Sequence, residues 1–520
     1  MRVMDSMNKQ MTKTDRNNHF FDVDLTSANL KEKSIRGGLF TISFQAVESI
    51  LRIGSIAILA RILIPENFGL ISMVTAIIAI AERFQDLGLH AATVQKKDIT
   101  HEQISKLFWI NAITGFGLTV LISSMSFLIA RFFNEPRLIS ITIAIATSFF
   151  WIGLTMQHQA ILRRQMKYAA IGGIQIGSIA LSIAIAIVLA VEGYGYWALV
   201  WREVSRNVFI ALGTWMCCPW TPGFPRKHIN IDHLIKFGRD LTGFNVIVFL
   251  TANLDQILIG KLYGPAQLGI YRQAYQLIFS LVMQVVSPVI RVAEPTLSFL
   301  QNDAERYRKY YQKIVTTVNV VMMPLIMFLV IYSHEIVLVM LGEKWVEATD
   351  IFRILAISAF IAPASDSTGF LLVTCGKTKR YLNLGLITGV ILALSFGIGV
   401  VWGALGVAYG YLVATYTLLA LRSYYSFEGT PVSVRDFWEA IEKPLLASLA
   451  MTIGLVIFNK LIIISNPLLL LVTALPVATV AYLLAWMIMP GGKGHLREVI
   501  YDLITPLYLD KYIVAMSSRR

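Results

Sequence analysis

The sequence predicts an all-α polytopic membrane protein of about 14 transmembrane helices: two six-helix lobes followed by two extra C-terminal helices. Three observations carry this prediction. Of 520 residues, 56% are hydrophobic and only 15% charged, where a soluble domain carries about 25% charged residues, and the mean hydropathy is +0.63. Apolar stretches of about 20 residues, enough to cross a bilayer core, recur along the chain. One motif occurs twice, as ARILIPENFGL over 60–70 and GKLYGPAQLGI over 260–270.

The apolar segments fall at 37–60, 68–90, 107–130, 138–157, 169–191, 196–215, 239–260, 271–290, 314–333, 351–374, 381–402, 404–422, 444–464 and 467–489. Residues 1–36 form a polar leader without the apolar run and small-residue cleavage site of a secretory signal. The net charge of +13 would suit a nucleic acid, but its distribution excludes that reading. Lys and Arg gather in alternate loops (Lys96, Lys97 and Lys106; Arg163, Arg164 and Lys167; Arg226, Lys227 and Lys236; Lys377, Lys379 and Arg380). That is the positive-inside pattern, and it predicts cytoplasmic termini. The predicted organisation is a leader at 1–36, an N-lobe at 37–215, a cytoplasmic loop at 216–238, a C-lobe at 239–422, two more spans within 423–489 and a cytoplasmic tail at 490–520.

The repeated motif sits at the outer end of the first span of each six. Arg61 aligns with Lys261, Pro65 with Pro265, Phe68 with Leu268, Gly69 with Gly269 and Leu70 with Ile270. An even number of spans per unit keeps both copies in one orientation, a parallel repeat about an axis along the membrane normal. In such folds the substrate site lies between the halves.

Absences bound the chemistry. There is no P-loop, HExxH or GxSxG motif, and the glycine pairs lack the third glycine of a nucleotide-binding turn. No cofactor or metal is expected. Cys217, Cys218 and Cys375 read as free thiols. Gly385-x-x-x-Gly389 and Gly406-x-x-x-Gly410 predict close helix contacts, Thr100-x-x-Gln103 a capping box, and the tail from Gly494 an amphipathic surface helix.

Several stretches resemble Wzx-type polysaccharide transporters of the multidrug/oligosaccharidyl-lipid/polysaccharide exporter superfamily, nearest the colanic acid and teichuronic acid exporter branch. They are LARILIPENFGL (59–70), FQDLGLHAATVQKKDITHEQISKLFWIN (84–111), FGRDLTGFNVIVFLTANLDQILIGKLYGPAQLGIYRQAYQL (237–277) and LGEKWVEAT (341–349). The resemblance implies a non-enzymatic flippase of the bacterial cytoplasmic membrane. Its substrate would be an undecaprenyl-pyrophosphate-linked oligosaccharide, with membrane lipid, a polymerase and chain-length proteins as partners. Three alternatives stand beside it: a lipid II flippase, a cation-coupled drug antiporter, and a membrane sugar polymerase or ligase. The short outer loops disfavour the enzyme, and the intramembrane arginines disfavour a cationic substrate.

A diphosphate crossing hydrocarbon needs a polar, cationic path, and arginine suits it because its planar fork donates in pairs and stays charged. Charges inside spans are costly and face the bundle interior. Arg52, Arg202, Arg206 and Arg83 are therefore the candidate substrate-binding cations. Glu48 stands four residues before Arg52, where it either supports a cavity cation or simply neutralises it for insertion. Arg83 lies with Glu82 and Asp86 near a span end, where snorkelling to water is the favoured reading. Arg202 and Arg206 share a helix face beside Trp197 and Trp201, which also fits an interfacial anchor. Asp255, with Asn253, is a candidate for ion coupling, or for a salt bridge to Arg272. Asp366, after Pro363, is expected at a helix break near mid-membrane.

Overall fold

A computed structural model describes residues 27–86, 89–96, 99–224 and 253–504, all helix, turn or loop, with no strand among them. They fall into two compact units, Met1–Arg272 and Gln273–Arg520. The first holds α1 (Ser27–Ile62), α2 (Pro65–Asp86), α3 (Leu89–Gln95), α4 (His101–Phe133), α5 (Leu138–Arg164), α6 (Tyr168–Val191), α7 (Tyr196–Cys217) and the start of α8 (Leu254–Leu300). Helix α1 begins ahead of the expected span, within the expected leader. The residues that extend it (Ala, Leu, Lys, Glu) are good helix formers, and no glycine interrupts them before Gly37.

Local signals set the ends of these helices. Pro65 opens α2, where its fixed φ fits and its missing N–H is not needed. The expected capping box opens α4: Thr100 Oγ1 accepts from the Gln103 N–H at 3.3 Å and Gln103 Oε1 accepts from the Thr100 N–H at 3.3 Å. Asn134, at φ 57°, closes it in the left-handed region. The following turn is clamped by Arg137, which donates to Glu135 at 2.7 Å and to Glu66 of the repeated motif at 2.5 Å. Within the unit, α5 packs against α2, α4 and α7, and α6 packs against α1 and α7.

The two copies of the repeated motif meet. A Cβ on Gly69 would overlap the Pro265 carbonyl, and one on Gly269 would overlap the Pro65 carbonyl and come within 3.1 Å of the Gly69 nitrogen. The contact is reciprocal, each copy offering its glycine to the other's proline carbonyl, as a two-fold relation between equivalent segments requires. Glycine is needed at both positions because two backbones touch there. Between them, Gly264 (φ 78°, ψ −177°) breaks α8 just before Pro265.

The second unit holds the rest of α8, then α9 (Ala304–Ile331), α10 (Ser333–Met340), α11 (Ala348–Phe360), α12 (Ala362–Thr374), α13 (Thr378–Gly399), α14 (Gly403–Phe427), α15 (Val434–Leu461), α16 (Pro467–Ile488) and α17 (Gly492–Ile504). Of the two expected glycine pairs, Gly406 and Gly410 do bring α14 against α13, at the Gly399 and Ser395 carbonyls, whereas Gly385 faces open space. The two added helices join a core of Val320, Tyr332, Met451, Leu455, Ala474 and Trp486. Tyr332 donates to Asn459 at 2.8 Å and Tyr482 donates to the Val320 carbonyl at 3.0 Å. The start of the expected tail helix is present as α17, with Leu496 and Val499 turned inward; residues 505–520 of the expected tail lie outside the described residues.

Among the described residues, nine helices are long and apolar enough to cross a membrane, ten if the pair α11–α12, bent by 43° at Ile361, is one span. The expected number was about 14. Part of the difference is continuity: 254–300 and 378–427 each read as one long apolar helix although breaks divide them at Gly264 and at Val400–Trp402. Part is composition: the apolar portion of α2 is short, Pro65–Ala79, and α7 carries Arg202, Glu203 and Arg206. Most of the expected span at 239–260 lies outside the described residues.

Candidate functional site

In the first unit three of the four expected cations, Arg52, Arg202 and Arg206, lie near one another. Arg52 on α1 donates to Glu48 one turn earlier at 2.7 Å, and 51% of the Arg52 side chain remains exposed. On α7, Arg206 pairs with Glu203 at 3.6 Å. Arg202 stands between them. Protein surrounds its guanidinium, which lies within electrostatic range of Arg52, Arg206 and Glu203. Arg202 is half-buried, and its side chain makes no hydrogen bond or ion pair with any described residue. Three guanidiniums therefore face two carboxylates, and the most enclosed of the three is the one without a partner. An unpaired cation in such a place costs several kcal/mol, and like charges repel. The arrangement is complementary to an anion that accepts from more than one fork. Trp201, 49% exposed beside Arg202, turns outward, so the aromatic and the cation occupy different faces of α7.

Asp255 takes a different role. It is 4% exposed, accepts from the Tyr271 hydroxyl at 2.9 Å and from the Gln256 N–H at 2.8 Å, and lies within electrostatic range of Arg272. Asn253 accepts from the Gln256 side chain at 3.2 Å. The acid is thus held by donors from both sides of the Gly264 break, which ties the repeated motif's turn together. Tyr271 was not among the expected residues; its position sixteen residues from Asp255 becomes proximity only because the chain turns at Gly264 and Pro265. Arg83 lies on α2 with its side chain outside the described residues, as does that of Asp86.

In the second unit Asp366 lies one turn beyond the break at Ile361, as expected, with Pro363 in the first turn of α12. Its partner is Arg422, which donates to Asp366 at 3.0 Å, to Ser365 at 3.2 Å and to Thr388 at 3.5 Å. Asp366 keeps 51% of its side-chain surface open, against 19% for Arg422. Arg422 reads as a loop cation when the span is ended at 422; α14 runs on to Phe427, more than a turn further, and carries it into the bundle. The buried Arg422 Nε has no hydrogen-bond partner among the described residues.

Two all-helical units with nine long apolar helices among the described residues are those of a polytopic membrane protein. The fold is shared with a solved lipid II flippase, MurJ in an inward closed conformation, at a TM-score of 0.71 and 15% identity, covering 90% of this chain and 99% of that one. The chain belongs to the polysaccharide biosynthesis protein family, whose model matches residues 58–350. It is similar to the lipopolysaccharide biosynthesis protein WzxC of Escherichia coli strain K12, with 24% identity over 74% of this chain and 79% of that protein. It is also similar to the teichuronic acid biosynthesis protein TuaB of Bacillus subtilis strain 168, with 27% identity over 72% of this chain and 78% of that protein. It is a Wzx-type exporter, a membrane transport protein and not an enzyme.

Proposed function

We propose that this transporter moves undecaprenyl-pyrophosphate-linked oligosaccharide units from the inner to the outer leaflet of a bacterial cytoplasmic membrane, with both termini cytoplasmic. Family membership supports the class of substrate. The observation that carries the site is the enclosed, unpartnered Arg202 guanidinium with Arg52 and Arg206 beside it. The diphosphate supplies the charge this cluster lacks. Glu48 and Glu203 hold the outer two arginines in place until it arrives, and Arg202 meets it first. Asp366 and Arg422, in the second unit, are a closed ion pair that an entering proton or cation would open, which makes them the coupling candidates. The chain carries no nucleotide-binding loop, so the driving force is a substrate or ion gradient. Polymerase and chain-length proteins would receive the unit outside.

Expression in a bacterium whose own exporter has been deleted tests the reading. Restored surface polysaccharide, with loss of the lipid-linked intermediate that accumulates without export, is the expected result. Persistence of that intermediate on the inner leaflet, with the protein folded in the membrane, would contradict it.

A further inference from the structure

The second unit contains a recess unrelated to the arginine cluster. Helices α9, α15 and α17 enclose a cavity of about 1010 Å³ at the end of the unit where α9 and α15 begin and α16 gives way to α17. Helix α15 presents Glu442 and Lys443 to it; α17 presents Arg497 and Glu498; Lys313 of α9 and His495 complete the polar lining. Other charges at the rim are already matched: Lys309 by Glu305 at 2.6 Å and Glu439 by Arg435 at 2.8 Å. Glu442, Lys443, Arg497 and Glu498 make no hydrogen bond or ion pair with any described residue. Two helices thus each offer one carboxylate beside one cation around one cavity, none of the four paired with a described residue.

The surroundings place this cavity at headgroup level. Leu496 and Val499 of α17 pack into the core that α9, α15 and α16 share, which leaves Arg497 and Glu498 exposed on the opposite side. Trp438 at the start of α15 is 45% exposed and Tyr501 on α17 is 59% exposed, the aromatic positions expected where spans meet water. His495 stacks on Trp486 at 6.0 Å; burial first, and Lys443 next, push its pKa down. It remains a neutral donor or acceptor and adds no charge.

We infer that this cavity binds the phosphoethanolamine headgroup of a membrane lipid. Lys443 and Arg497 take the phosphate, and Glu442 and Glu498 take the primary ammonium. A purely anionic headgroup would satisfy the cations and leave both carboxylates unpaired. A trimethylammonium headgroup has no N–H to give them. The acyl chains leave toward the bilayer beside α17. This inference does not depend on which substrate the arginine cluster carries.

Native mass spectrometry of the purified full chain with phosphatidylethanolamine, phosphatidylcholine and phosphatidylglycerol of identical acyl chains tests it. The ethanolamine lipid is expected to bind at least about tenfold tighter than the other two. The double variant E442Q/E498Q is expected to lose that preference while binding phosphatidylglycerol no more weakly. K443A/R497A is expected to weaken all three, and thermal unfolding of each variant checks that its fold is kept. Equal affinity for ethanolamine and choline lipids, or an unchanged preference in folded E442Q/E498Q, would overturn the inference. So would soluble phosphoethanolamine binding as tightly as the lipid, which would move the ligand from the membrane to solution.

Discussion

Among the described residues Arg202 differs from its neighbours in one respect: Arg52 and Arg206 each have a carboxylate within ion-pair distance and Arg202 has none. That difference ranks the three. Arg202→Ala is expected to lower export by at least about tenfold, the loss of roughly 1.4 kcal/mol or more of charge-assisted binding. Arg52→Lys should fall between native and Ala, because it keeps the charge and loses the fork; rates of outer-leaflet exposure check both. Tyr271→Phe leaves Asp255 one donor short and should destabilise the first unit by about 1–3 kcal/mol, read as a lowered thermal midpoint in detergent. At this scale the sequence was informative about charge and poor about partners. Arg52, Arg202, Arg206, Asp255 and Asp366 stand out because charges are rare inside apolar segments. Tyr271 and Arg422 do not, since a tyrosine is unremarkable near a span end and Arg422 lies at a boundary that hydropathy places a turn too early.

The helix is the scale at which the repeat acquires a physical reason. The pattern shared by 60–70 and 260–270 was visible in the residues, but its consequence was not: the two prolines and two glycines pack on each other, carbonyl to Cα. Gly69→Ala and Gly269→Ala each place a methyl group against a carbonyl oxygen and should cost about 1–3 kcal/mol by overpacking. Because the two sites touch, the double variant should deviate from additivity by at least about 0.5 kcal/mol, measurable in a double-mutant cycle by thermal or denaturant unfolding. Next to this contact, the Arg137 hydrogen bond holds the Glu135 carboxyl below its ordinary range. A carboxyl with a depressed pKa stabilises the fold above its unfolded value and loses that contribution as pH falls through the folded one. Arg137→Ala should therefore lower stability at neutral pH and narrow its gap to the native chain as the medium is acidified below about pH 4, seen as converging thermal midpoints. Capping boxes and proline starts were legible because they are local in sequence; the broken helices were legible only at Pro363, since Gly264 breaks α8 through a backbone torsion that no hydropathy pattern reveals.

For the whole molecule, class and approximate span content follow from composition, because a chain with this little polar surface can bury its apolar stretches only in lipid. The lobes expected to part in the loop at 216–238 and the compact units that part at Arg272 are two different divisions of the chain, and the second keeps both copies of the motif together. The orientation argued from alternating basic loops predicts that a single cysteine at Arg137, in an otherwise cysteine-free chain, is labelled by an impermeant maleimide added to intact cells, and that one at Lys167 is labelled only after permeabilisation. We propose that the arginine cluster carries a lipid-linked diphosphate across the membrane. The most direct test of this proposal is reconstitution of the native chain and of Arg202→Ala with an undecaprenyl-pyrophosphate oligosaccharide, with outer-leaflet exposure followed by an impermeant sugar-modifying probe. Exposure that requires the protein and falls at least about tenfold in the folded variant is predicted; protein-dependent exposure that Arg202→Ala leaves unchanged would contradict the account.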